Sequence, residues 1–342
     1  MTAGAVTAGA DAGDRPGAIV GVVGCGTTGA RVVAHLVARK VQVAVYDPRA
    51  GLGVRRKGVV LVESVDDLAV CDVVVLCQPA PHAELAERLI RDGTNLVSIV
   101  DDLDDVRALL DLDRAAQMSG STVVIGAGMA PGLSCLLARN LAGQLHQLDE
   151  LHVAIHGTAG PACARQHHDA LGSTALGWHD DEWIQPPGGS GRDLVWFPEP
   201  IGAQDCYRAA LCDPVLLQRS FPTAGRITAR VSATRRDRMT ARLPMLVPPH
   251  ASGSIGAVRV EARGAGPDGE RITVIAGAAG HTADLAAGVA AATALQVLAE
   301  GLPAGVHAVS DADVSSLRVL HHATMLGVQV QEFTGVARAT SW

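Results

Sequence analysis

The sequence predicts an α/β fold: a doubly wound parallel sheet, followed by a second α+β domain on a mixed, largely antiparallel sheet. Three observations predict it. Up to about residue 145, short runs rich in valine and isoleucine alternate with amphipathic helical stretches. The first run passes into the first helix through a G-x-G-x-x-G turn. From Asp149 the pattern changes to alternating strands joined by short polar turns.

The runs are Ala18–Val23, Val41–Tyr46, Val59–Val62, Val73–Cys77, Leu96–Val100 and Thr122–Ile125. Most are apolar throughout, as strands covered on both faces of a parallel sheet must be. Between them lie helical periods at Ala30–Arg39, Pro81–Arg91 and Asp104–Met118, with Leu133–Leu145 after the last. This alternation implies right-handed crossovers in a Rossmann arrangement. The expected domains are a disordered segment 1–17, a dinucleotide-binding domain 18–148, a substrate and dimerisation domain 149–282, and C-terminal helices 283–342 packing back on the first domain.

The opening turn carries chemistry. Gly24 allows a tight turn, Gly26 lets backbone approach a pyrophosphate, and Gly29 lets the helix pack on the sheet. Together with Cys25, Thr27 and Thr28 it presents N–H groups at a helix N-terminus, an anion site. Asp47 ends the second run, where a carboxylate accepts the ribose hydroxyls of a dinucleotide. That favours NAD; Arg49 and the trio Arg55-Arg56-Lys57 offset the charge and would admit NADP, and FAD uses the same fingerprint. Gln78 and Pro79, after the fourth strand, are further candidate cofactor contacts.

The segment Asn95–Ala142 runs strand, Asp101-Asp102, helix, strand, then Gly126-Ala-Gly-Met-Ala-Pro-Gly-Leu-Ser134 and a helix. It resembles the saccharopine dehydrogenase-like (saccharopine reductase-type) oxidoreductases, in which a G-x-x-PG-x-S turn leads from the nucleotide domain into the substrate domain. The resemblance covers residues 18–145 well and the remainder in outline. It implies NAD(P)-linked hydride transfer to a carbonyl or imine carbon. Met129 in that turn is then a substrate-pocket candidate, while Pro131 suits the first turn of the following helix. The chain departs from relatives with a catalytic lysine, since Lys40 and Lys57 are its only lysines and both lie in the first nucleotide-binding segments.

The substrate half is expected to contain strands at ELHVAIHG, RITARVSAT and the pair GAVRVEARG/RITVIAGAAG. A helix beginning near Pro161 carries Cys163, Arg165, His167, His168 and Asp169. Histidine suits proton transfer near neutral pH, so His167 and His168 are the candidate acids, with Tyr207 a second donor. Arg165 and Arg192 are candidates for a substrate carboxylate. A Cys163/His167 nucleophile pair lacks an oxyanion device, and His152 with His156 on one strand face lacks a third metal ligand, so no metal site is expected.

The remaining bounds are compositional. The chain has 342 residues, 48% hydrophobic and 18% charged, with net charge −7, which supports a packed core and argues against general nucleic-acid binding. Seven scattered cysteines without a C-x-x-C pair read as reduced thiols. The expectation is a cytoplasmic enzyme with a small-molecule substrate, no nucleic-acid or membrane partner, and a homodimeric state. The competing reading is a dinucleotide-binding sensor or structural protein without turnover.

Overall fold

The valine-rich runs do form strands buried on both faces: Val20, Val22, Val74, Val75, Leu96 and Val124 are all fully buried. The computed structural model describes residues 17–49, 57–245 and 248–333. Most of the expected N-terminal segment, and Arg55 and Arg56, lie outside the described residues.

The first sheet is built from β1 (Ile19–Val23), β2 (Gln42–Tyr46), β3 (Val59–Leu61), β4 (Val73–Leu76), β5 (Asn95–Ser98) and β6 (Thr122–Ile125). Helices α1 (Gly29–Ala38), α2 (Ala83–Arg91), α3 (Leu103–Leu110) and α4 (Asp113–Ser119) lie between strands, and α5 (Leu133–Ala142) follows β6. All pairings are parallel, in the order β3-β2-β1-β4-β5-β6, extended beyond β6 by a seventh strand, β15 (Gly305–Ala308). This is the doubly wound order, and its direction reverses between β1 and β4, where such sheets bind ligands.

One helix was expected over Asp104–Met118, and the structure has two, broken at Asp111–Leu112. The restart places Asp113 against β15, where its carboxylate accepts the Val306 N–H at 2.8 Å. That partner lies far along the chain, so local periodicity does not report it. Pro131 also sits differently from expectation: α5 starts at Leu133 with Gly132 as its N-cap, leaving the proline ahead of the helix.

The second sheet has nine strands: β7 (Gln147–His156), β8 (Gly177–His179), β9 (Glu182–Ile184), β10 (Asp193–Trp196), β11 (Ala203–Arg208), β12 (Arg226–Ser232), β13 (Ile255–Ala265), β14 (Arg271–His281) and β16 (Val330–Glu332). It is antiparallel except where β7 meets β12. Helix α6 (Pro161–Gly172) lies beside α8 (Arg235–Thr240), and α7 (Asp213–Ser220) packs on β12 and β8. The small-residue helix α9 (Thr282–Ala299) packs on α1, β4 and β5 as well as on β14, and α10 (Ser316–Met325) packs on α9 and α5. By length and composition α9 matches a bilayer span, but 89% of that stretch is buried inside the protein.

A buried carboxylate links the halves. Asp213, fully buried at the start of α7, accepts a hydrogen bond from Ser134 Oγ in the first turn of α5 (2.5 Å). Burial pushes its pKa up to about 6 despite that bond. The folded chain therefore binds this proton more tightly than the unfolded chain, and stability falls as pH rises from about 4 through 6. The loss approaches 3 kcal/mol, on the order set by such a shift. Urea unfolding across that range should show the fall in the wild type and a flattened profile in Asp213→Asn, which keeps an acceptor for Ser134.

Candidate functional site

The turn between β1 and α1 has no room for side chains at its first and last glycines. Gly24 has φ +84°, and a Cβ there would lie 2.7 Å from the Gln78 backbone nitrogen. At Gly29 a Cβ would lie 1.9 Å from the Gly24 carbonyl oxygen. At Gly26, by contrast, the nearest atom to an added Cβ is Arg49 Nη2 at 3.7 Å, so bare backbone faces open space.

Asp47 is the electrostatic anchor of this turn. Its carboxylate accepts the Cys25 N–H at 2.7 Å, the Arg49 N–H at 3.0 Å, and the Arg49 guanidinium at 2.9 Å and 2.5 Å. The guanidinium bond is the largest influence, holding the carboxyl at about 2, well below its ordinary value. The Asp47 side chain is almost wholly covered, while that of Arg49 is 65% exposed, so the exposed group of the pair is the cation.

Behind the turn, His82 is buried against β5. Its Nε2 lies 2.8 Å from the Gln78 carbonyl oxygen, which can only accept, so Nε2 carries the proton. Nδ1 then accepts from Ser98 Oγ at 2.8 Å. Burial disfavours the charged ring, and the neutral imidazole holds the Gln78 backbone in place. Gln78 Oε1 is buried with no hydrogen-bond partner among the described residues.

One cleft of about 700 Å³ runs from this turn to α6. It is lined by Gly24, Gly26, Thr27, Thr28, Asp47 and Arg49 on one side, and by Gln78 and Pro79 beneath. Met129 forms a buried wall, and Cys163, Arg165 and His167 of α6 face it from the other side with Asp101. Cys25 and Gly29 complete the turn behind the lining. The two halves touch at the turn itself, where Thr27 Oγ1 donates to the Ala251 carbonyl at 3.3 Å.

Asp101, Cys163 and His167 form a compact polar cluster, their ligand-type atoms all within 4.8 Å of one another. Cys163 and His167 are one helical turn apart on α6, with Sγ and Nε2 separated by 3.8 Å. The thiol bonds the Asp101 carboxylate; burial, then that anion, push the thiol pKa up. Burial lowers the His167 pKa against the pull of Asp101, and raises that of Asp101. The neighbouring Asp102 caps α3 and accepts the Gln166 side-chain amide at 3.0 Å, which ties α6 to this edge.

Three expected site residues lie elsewhere. His168 turns away and its Nε2 meets the Leu243 carbonyl at 2.7 Å, because successive helical positions point about 100° apart. Tyr207 is 1% exposed in the core, with Arg238 over its ring at 5.5 Å. Arg192 pairs with Asp205 of β11 at 2.9 Å, outside the cleft lining. His152 and His156 bond to Glu150 with Thr228 and to Ser232, respectively. The sequence alone marks no role for Asp101 or His82; the helical spacing of Cys163 and His167 is its visible signal for the cluster.

No protein-family model matches the chain, and no curated protein matches it in sequence. Among solved structures it is similar to a saccharopine dehydrogenase (L-Glu forming) of Saccharomyces cerevisiae, with TM-score 0.66 and 14% identity, covering 93% of this chain and 100% of that one. It is also similar to a substituted meso-DAP dehydrogenase of Clostridium tetani solved with DAP, with TM-score 0.53 and 15% identity, covering 87% and 95%. The likeness is one of fold. It agrees with the resemblance read from Asn95–Ala142, and it spans both sheets of the chain.

Gly29→Ala tests the packing argument, since the added carbon strikes backbone rather than a movable side chain. The expected result is a loss on the order of 1–3 kcal/mol in urea unfolding, the usual cost of overpacking a rigid site. An unchanged midpoint would show that the turn relaxes freely.

Proposed function

We propose that the chain is an NAD(P)-dependent oxidoreductase that transfers hydride to or from the carbonyl or imine carbon of a small, carboxylate-bearing metabolite. The observation that carries this reading is the single cleft joining the glycine turn to the Asp101–Cys163–His167 cluster. The residues fit a dinucleotide: open backbone at Gly26, a helix N-terminus, and an unpartnered Gln78 Oε1 that lacks the N–H donor a carboxamide carries. The two fold neighbours described above are themselves named dehydrogenases.

Gly24, Gly26, Thr27 and Thr28 would hold the pyrophosphate, with Asp47 and Arg49 at the adenosine ribose. When bound, the cofactor supplies or accepts the hydride. Reduction of C=O or C=N also consumes a proton; of the two histidines lining the cleft, His82 has both ring nitrogens engaged, and His167 would hold and release it. Arg165, at the cleft and without an ion-pair partner among the described residues, would take the substrate carboxylate. Met129 and the walls near it exclude water from the reacting atoms.

Calorimetric titration with NAD, NADH, NADP and NADPH tests the cofactor half, and Asp47→Ala should weaken whichever pair binds. Oxidation of the reduced cofactor with a panel of 2-oxo acids, with and without ammonia, tests the rest. His167→Ala should lower kcat by about 10²–10⁴-fold, the range for losing an acid–base group, with His168→Ala close to wild type. Absence of binding by all four dinucleotides would end this reading.

A further inference from the structure

We propose that Asp101, Cys163 and His167 form a three-ligand site for a borderline-soft divalent cation of the zinc type, its fourth position open to the cleft. The donors are one carboxylate, one thiol and one imidazole, within 4.8 Å of one another. In a tetrahedral site with bonds of about 2.0–2.3 Å, neighbouring ligand atoms stand roughly 3.3–3.7 Å apart. The 3.8 Å between Cys163 Sγ and His167 Nε2 matches that spacing to within a few tenths of an ångström. The longer separation closes by rotation of side chains that are only half-buried.

The donor types select the metal. Magnesium and calcium take oxygen ligands, whereas thiolate with imidazole favours zinc and its neighbours. Charge agrees as well. A dication with one carboxylate and one thiolate is neutral overall, which suits a site partly withdrawn from water. Binding replaces the thiol proton: the S–H bond breaks, the sulfur lone pair goes to the cation, and the proton leaves to solvent.

The framework around the ligands holds them together. Cys163 and His167 share one face of α6, and Gln166 between them is anchored on Asp102, the residue after Asp101. Cys212 Sγ donates to the Asp101 carbonyl at 3.2 Å and fixes that backbone. Three protein ligands with an open fourth position is the catalytic rather than the structural pattern of zinc. Under the oxidoreductase reading, on which this use of the site rests, the fourth position would meet the substrate oxygen or a water. His167 is then a ligand, and the proton is carried at that position; in the cation-free chain the imidazole carries it.

Cobalt(II) is the probe, since it occupies zinc sites and reports its ligands by absorption. The purified full chain, stripped with a chelator, should bind one equivalent with a thiolate-to-cobalt charge-transfer band and the visible bands of four-coordinate cobalt. Zinc(II) should displace it. Cys163→Ser should remove the thiolate band, and His167→Ala should weaken binding about tenfold or more, at least the loss seen for outer-shell groups. Cys206→Ser, a buried cysteine of the second sheet, should leave the band intact.

Absence of a thiolate band at one equivalent in the wild-type chain overturns the proposal, whatever the variants do. A band that survives Cys163→Ser in a variant with a native melting transition overturns it too. The measurement uses neither dinucleotide nor substrate. Cobalt bound in a chain that binds no dinucleotide would therefore sink the oxidoreductase reading alone, and the reverse result would sink the metal site alone.

Discussion

The burial of α9 between the two sheets is the constraint on which the rest of the structure depends. Its residues are almost all buried, and eight of its 18 are alanine. Small side chains let α1, β4 and β5 approach from one side and β14 from the other. Helix and sheet backbones meet at short range there, so close packing fixes their relative positions. The cleft is the gap left between the carboxyl edge of the parallel sheet and α6, and its width follows from that packing. Polar ties then set finer detail: Asp102 to Gln166, Ser134 to Asp213, and Arg31 to Asp284 at 2.5 Å.

Within the nucleotide half, electrostatics bind the turn together before any ligand arrives. Asp47 satisfies the Cys25 N–H and is itself satisfied by Arg49. A ribose diol approaching that carboxylate competes with a guanidinium already bonded to it. A phosphate on the same ribose would meet the exposed face of the guanidinium instead. Under the proposed function the choice between NAD and NADP would therefore be set by the pair, and the acidic residue alone is an incomplete guide to it.

Much of this architecture was legible in the sequence because the signals were local. Strand runs, the glycine turn and the Asp47 position each lie within a few dozen residues of one another, and the parallel order follows from connection rules. The C-terminal strand β15 was not legible in the same way. Gly305–Ala308 is four residues long, and nothing near it says that it pairs with β6 some 180 residues earlier. The site residues divide on the same principle. His167 and His168 are adjacent and chemically identical, and only the docking of α6 decides which faces the cleft. Tyr207 alternates with Cys206 along β11, and both side chains are buried, on opposite faces of the strand. Arg192 follows the glycine-rich stretch Gly188–Gly191, and only the tertiary structure shows that its partner is Asp205.

Asp101 and Asp102 show most directly how environment divides work between identical residues. Both follow β5 at the carboxyl edge of the parallel sheet. Asp102 points along α3, caps it through the Asp105 N–H at 2.9 Å, and holds Gln166. Its role is positional. Asp101 faces α6, where burial raises its proton affinity and the thiol and imidazole become its partners. A carboxylate so placed needs a counter-charge or a proton, because an unpaired anion away from water is costly. The chemistry of the cleft turns on which of these occupies it: a shared proton among Asp101, Cys163 and His167, or a cation that replaces it.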